Sequence, residues 1–162
     1  MAERPSATVC VIQPNQEYRG RQGPTYFAGV SAESVGSTGL CLHRSVIPPG
    51  GRAKAHRHAG QESAIYLLDG EVEMFWGDEL QHSAVMHQGD FVYVPSDVPH
   101  APVNLSDTKA ATALVARTDP NEQESVVLLP HLDEIPQRRI GDLNPGGCCH
   151  PTALAVRRHR PD

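Results

Sequence analysis

From residue 39 to residue 117 the chain breaks into short apolar or alternating runs, each closed by Gly, Pro or Asp. Turn signals recurring about every 8–12 residues leave room for strands and little room for helices. The runs are 39–47, Arg52 to His58, Glu62 to Leu68, Glu71 to Trp76, Gln81 to His87, Phe91 to Val94, Pro99 to Leu105 and Ala110 to Arg117. Ala7 to Gln13 is a further candidate strand, and Asp69-Gly70 reads as a hairpin signal. Fourteen glycines and fourteen prolines in 162 residues suit such a chain and not a helical one. Nothing before residue 39 has helical periodicity of useful length, so a DNA-binding helical domain ahead of a barrel is not expected. The expected fold is all-β, a sandwich or a single antiparallel β-barrel.

Two of these runs carry a set of metal-ligating residue types. In a strand, side chains alternate faces, so His56 and His58 point the same way, separated by about 6.6 Å at roughly 3.3 Å per residue. Glu62 follows after the Gly60 turn, and His100 comes from a later strand. Imidazole suits Zn, Cu, Fe and Ni, and a carboxylate adds a hard oxygen. The expected ligands are therefore His56, His58, Glu62 and His100 around one divalent transition metal ion. Among Fe, Mn, Ni, Zn and Cu the sequence does not choose. Gln61 competes with Glu62, but an amide oxygen is a poorer donor. Glu62 is also the expected catalytic residue, the one ligand able to leave the metal and carry a proton. Lys54, Tyr66 and Tyr93 are candidate pocket residues; Lys54 shares strand parity with His56 and His58. A single histidine on a strand is usually packed or exposed without function, which is the reading for His43, His82, His87, His131 and His159.

The same residues resemble the two motifs of the cupin superfamily. Gly50, His56, His58, Glu62 and Gly70 resemble the first motif. Gly89, Pro95, His100 and Asn104 resemble the second. Two positions depart from the pattern. Seven residues separate Glu62 from Gly70 where six are usual, so a bulge is expected in the turn or the following strand. Asp97 stands where many members have Gly. The resemblance, to small single-domain metal-binding cupins of the RmlC-like type, implies a jelly-roll barrel over 39–130. Residues 1–38 would pack on it as a strand and loop, and 131–162 would form an irregular tail. It implies a small-molecule oxygenase of the dioxygenase type, an oxidoreductase with a three-His, one-Glu centre. The alternatives are a redox-neutral metalloenzyme, such as a sugar-phosphate isomerase, lyase or cyclase, and a non-catalytic binding protein. Cupins with a spare N-terminal strand pair or exchange it, so a homodimer is expected. Asn104 reads as a strand-end residue bonding the backbone.

Charge and cysteine content narrow the partners. A net charge of −5 offers no footprint for nucleic acid. No apolar run reaches the ~18 residues of a membrane span. The N-terminus lacks the apolar stretch of a secretory signal, so the expected compartment is the cytoplasm and the expected partner a small-molecule substrate. Cys10 and Cys41 lie in apolar runs and read as small hydrophobes. Cys148 and Cys149 are adjacent, without the paired spacing of a zinc site, and read as reduced thiols in a tail that adds little stability beyond Gly141.

Overall fold

The computed structural model describes residues 9–13, 17–121, 123 and 125–134. Eleven strands follow one another: β1 (Glu17–Arg19), β2 (Thr25–Val30), β3 (Cys41–Ile47), β4 (His56–His58), β5 (Ser63–Asp69), β6 (Glu71–Trp76), β7 (His82–His87), β8 (Phe91–Val94), β9 (His100–Asn104), β10 (Ala111–Arg117) and β11 (Val126–Leu128). A four-residue helix, α1 (Ala32–Val35), and a single 3₁₀ turn (Pro130–Leu132) are the helical elements among the described residues. No helix there is long and apolar enough to cross a membrane.

The strands form two facing antiparallel sheets. The six-stranded sheet has the order β1-β2-β3-β10-β5-β8, and the five-stranded sheet the order β11-β4-β9-β6-β7. From β3 onward nearly every connection crosses from one sheet to the other; β6–β7 alone forms a local hairpin there. This is the jelly-roll solution, in which two curled sheets bury their inner faces against each other. Side-chain alternation then sorts each strand. On β3 Cys41, His43, Ser45 and Ile47 are buried, and Leu42 and Arg44 between them are not.

Two apolar clusters hold the sheets. Leu67, Val72, Met74, Met86 and Ala111 pack between them. Ala55, Phe75, Leu80, Ala101, Val103 and Leu132 pack behind the five-stranded sheet. Phe75 is 1% exposed, and burying a side chain of that kind contributes about 1.5–3 kcal/mol.

Three expectations need correction. Residues 9–13 form no strand, and Val9 and Val11 lie exposed; the N-terminal strands are β1 and β2, in a segment whose Gly and Pro content suggested a loop. Arg52 to His58 is not one strand: Arg52 makes an isolated bridge to Val103, the chain bends at Ala55, and β4 begins at His56. Asp69-Gly70 closes no hairpin. It passes the chain from β5 in one sheet to β6 in the other. Gly is needed there, because φ is +94° and a Cβ would sit 2.9 Å from the Ala111 Cα. A further strand, β11, forms from the short apolar run Val126–Leu128, beyond the last strand expected at Ala110 to Arg117. The bulge expected before Gly70 is present: Thr112 faces Asp69 and Ala113 faces Leu67, so Leu68 opposes no residue of β10. Residues 141–162, with Cys148 and Cys149, lie outside the described residues.

Candidate metal centre

His56, His58 and His100 converge on the inner face of the five-stranded sheet. β4 carries the first two, β9 the third, and the strands meet with His56 directly opposite His100. All three are 3–4% exposed. Ring centroids are 5.0 Å apart for His56–His58, 4.3 Å for His56–His100 and 5.3 Å for His58–His100. One nitrogen of each lies within 4.8 Å of the others, so small rotamer changes bring three donors to the ~2.0–2.1 Å of a metal–imidazole bond.

Backbone carbonyls set the tautomers. The His56 Nδ1–H donates to Lys54 O (2.7 Å) and the His100 Nδ1–H to Val98 O (2.9 Å), which leaves each Nε2 with its lone pair. The buried His58 Nδ1 has no hydrogen-bond partner in the protein. Burial is the largest cause holding all three imidazoles neutral, and the Arg117 charge reinforces it; His100 is pushed down to about 4. Three neutral imidazoles, one with an orphaned nitrogen, fit a bound cation better than a water-filled polar pocket.

A tight turn holds β4 against the loop before β9. Asp97 adopts φ +63°, the left-handed conformation expected of the Gly it replaces. Its N–H donates to His58 O (3.0 Å), and its carboxylate accepts from Gly60 N (3.1 Å) and from the Arg57 guanidinium. The substitution thus turns a passive turn position into a clamp beside His58. At the far end of β9 the Asn104 amide donates to the carbonyls of Ile47, Pro48 and Lys109 at 2.8–3.1 Å, the backbone role expected for it.

Glu62 is not with the histidines. It is exposed, and its carboxylate accepts from the Tyr93 hydroxyl at 2.6 Å. Strand parity gives the reason: Ser63, Ile65 and Leu67 of β5 face inward, so Glu62 faces out despite the bulge at Leu68. Six residues separate Ser63 from Gly70, so Ser63 occupies the inward position where the motif spacing places a carboxylate. Gln61 does not substitute, since its Oε1 accepts from Thr118 Oγ1 at 2.7 Å. Lys54 is exposed because the bend at Ala55 breaks its parity with His56. Tyr66 packs against Phe91 with the rings tilted (centroids 4.6 Å apart), and Tyr93 is 62% exposed.

Between the sheets lies a cavity of about 60 Å³, walled by Ile47, Ile65, Leu67, Val72, Met74 and Met86 and by the three histidines. Opposite the histidines the six-stranded sheet contributes Tyr26, Ser45, Ser63 and Arg117, a polar set that local motifs did not reveal. Arg117 is 4% exposed and donates from Nε to Ser63 Oγ (3.1 Å). Its signal was in the sequence: it ends the run Ala111, Ala113, Val115, Arg117 at inward parity, a charge on an otherwise apolar face. A larger groove, about 520 Å³, opens beside β7 and β8 and shares Met74, Met86 and His100 with the cavity.

Comparison with known proteins agrees with this architecture. Residues 43–117 match the family model described as a cupin domain. Among solved structures, the polyketide cyclase RemF from Streptomyces resistomycificus aligns with a TM-score of 0.61 at 18% identity, covering 80% of this chain and 94% of that one. An oxalate decarboxylase from Lactobacillus farciminis aligns at 0.59 and 16% identity, over 70% of this chain and 33% of that one. A recombinant oxalate oxidase aligns at 0.56 and 20% identity, over 67% and 56%. The chain thus spans about a third of the decarboxylase and just over half of the oxidase. No curated protein matches the sequence. Alternating connections between two sheets, histidines facing inward from β4 and β9, and the family match together identify residues 43–117 as a cupin domain.

Proposed function

We propose that His56, His58 and His100 hold one divalent transition metal ion, and that the protein is a small-molecule oxygenase of the dioxygenase type. The observation that carries this reading is the donor set: three buried neutral imidazoles in a cavity whose described lining contains no Asp, Glu or Lys. When bound, such a metal would supply Lewis acidity and, if redox-active, the electron transfer that dioxygen chemistry needs. The protein's part is to fix the ligand tautomers through Lys54 O and Val98 O, to exclude bulk water and to orient a small substrate.

The missing carboxylate favours the oxygenase among the alternatives. Isomerase, lyase and cyclase chemistry moves a proton and needs a base near the reacting carbon. Glu62 points away, and the one phenol in the cavity, Tyr26, is held above its ordinary pKa by burial. An oxygenase places less demand on a protein base. The test is anaerobic loading with Fe(II), Mn(II), Ni(II), Zn(II) or Cu(II), followed by oxygen-electrode traces with a panel of small acids, enols and thiols. Metal-dependent oxygen uptake is expected. Turnover at the same rate without oxygen would establish redox-neutral chemistry instead, and metal binding with no turnover of any kind would make the protein a binding module.

A further inference from the structure

We propose that the cavity takes a compact carboxylate anion, held at the six-stranded sheet by Arg117 and Ser63 and facing the three histidines. The inference rests on reading those histidines as a metal site.

Charge is the first argument. Three imidazoles add none, and Arg117 adds one positive charge inside the cavity wall. Asp119, 5% exposed, interacts electrostatically with Arg117; it is not part of the cavity lining, and its carboxylate accepts from the amides of Asn121 (2.9 Å) and Ser125 (3.2 Å). Arginine and aspartate roughly cancel, so a divalent ion leaves the interior about two charges positive. A buried excess of that size is costly without an anion beside it.

Register is the second argument. Ser63 fills the inward position where the motif spacing calls for a carboxylate, and its hydroxyl is bonded by Arg117 Nε. A glutamate there would satisfy the metal and the guanidinium together. Serine leaves that place to a carboxylate from solution, and the arginine fork is the side chain suited to receive it. Size and polarity are the third. The cavity is about 60 Å³, and Ile65, Leu67, Met74 and Met86 wall it, so it suits a small anion with a short apolar remainder.

The test uses the full-length protein, loaded with Co(II) or metal-free, titrated calorimetrically with acetate and with its neutral isostere acetamide. Co(II) absorption in the visible gives a second readout. The loaded protein should bind acetate at least about tenfold more tightly than acetamide, with a change in the Co(II) bands. Arg117→Gln should erase that preference. Because Arg117 is buried and its loss can impair folding, Ser63→Glu is the second variant. It should bind Co(II) more tightly than the wild type and no longer respond to acetate. If Co(II) binds but acetate and acetamide bind alike, or if Ser63→Glu still binds acetate as the wild type does, the proposal is overturned while the metal reading stands. If Co(II) does not bind, yet metal-free protein binds acetate and Arg117→Gln does not, the metal reading fails and the anion subsite stands.

Discussion

The two sheets face one cavity with opposite chemistry. The five-stranded sheet presents three imidazoles from two adjacent strands, His56 and His58 from β4 and His100 from β9. The six-stranded sheet presents a cation and three hydroxyls from four strands: Tyr26 on β2, Ser45 on β3, Ser63 on β5 and Arg117 on β10. The first set is compact in sequence, because alternation within one strand places two of its members. The second is dispersed, and only the jelly-roll topology brings it together. One half of the cavity can therefore be read from local spacing, and the other only from the topology.

The largest expected effect divides the two sets by metal affinity. His56→Ala should weaken metal binding by more than about 100-fold, the upper range for losing even an indirect ligand contact. Glu62→Ala should leave it within about twofold by the same calorimetric titration. Equal losses from both variants would return Glu62 to the metal and erase the contrast drawn between the sheets.

The next effect is on stability. Asn104→Ala would remove the amide hydrogen bonds to the carbonyls of Ile47, Pro48 and Lys109 that join the ends of β3 and β9 across the two sheets, with Pro48 O keeping its bond from Gly51 N–H (2.9 Å). A loss of about 2–4 kcal/mol in urea unfolding is expected, since each buried group left unbonded costs about 1–3 kcal/mol.

Acid sharpens the comparison further. His43, on the six-stranded sheet, is pushed down by burial to about 3, and His100 to about 4. His56 and His58 are likewise depressed by burial. Below the unfolded value near 6.5 the unfolded chain takes up protons that the native state refuses. The metal-free protein should thus be insensitive to pH above about 7. It should lose up to roughly 1.4 kcal/mol per pH unit for each such histidine as pH falls from 6.5 toward 4. A saturating metal should steepen the fall, because protons then also compete for the ligands. Unfolding curves at a series of pH values check the sign; stability that rises on acidification would mean that these imidazoles are not buried neutral.

The smallest effect lies outside the cavity. Tyr93→Phe removes an exposed hydrogen bond to Glu62 and should change stability by no more than about 0.5 kcal/mol, with metal affinity unaltered.

Much of the barrel was legible. β6 and β8 lie where alternation put them, and β3, β5, β7, β9 and β10 differ by a residue or two at their ends. The sorting of strands between sheets was not, because Asp69-Gly70 has the chemistry of a hairpin turn and serves instead as a crossing. Parity located His56 and His58 and misplaced Lys54, since no local signal marks the bend at Ala55. Glu62 was misread for a related reason. Its spacing from His58 looked right, but the distance to Gly70 fixes the face, and that distance favours Ser63. β2 and β11 lack apolar periodicity and form because β3 and β4 offer them edges to pair with.

β11 has a consequence for how the centre can open. Val126 pairs with His58 and Leu128 with His56, whereas β4 meets β9 at His56 alone. Just beyond, the Ala55 N–H donates to Asp133 Oδ1 (2.6 Å), and Leu132 joins the cluster behind the sheet. The strand bearing two of the three histidines is thus held on one side by a late and short stretch of chain. Detaching that stretch would leave β4 an open edge, able to pair with a strand from another molecule. Local opening here would cost less than global unfolding and would uncover the two imidazoles of β4 together.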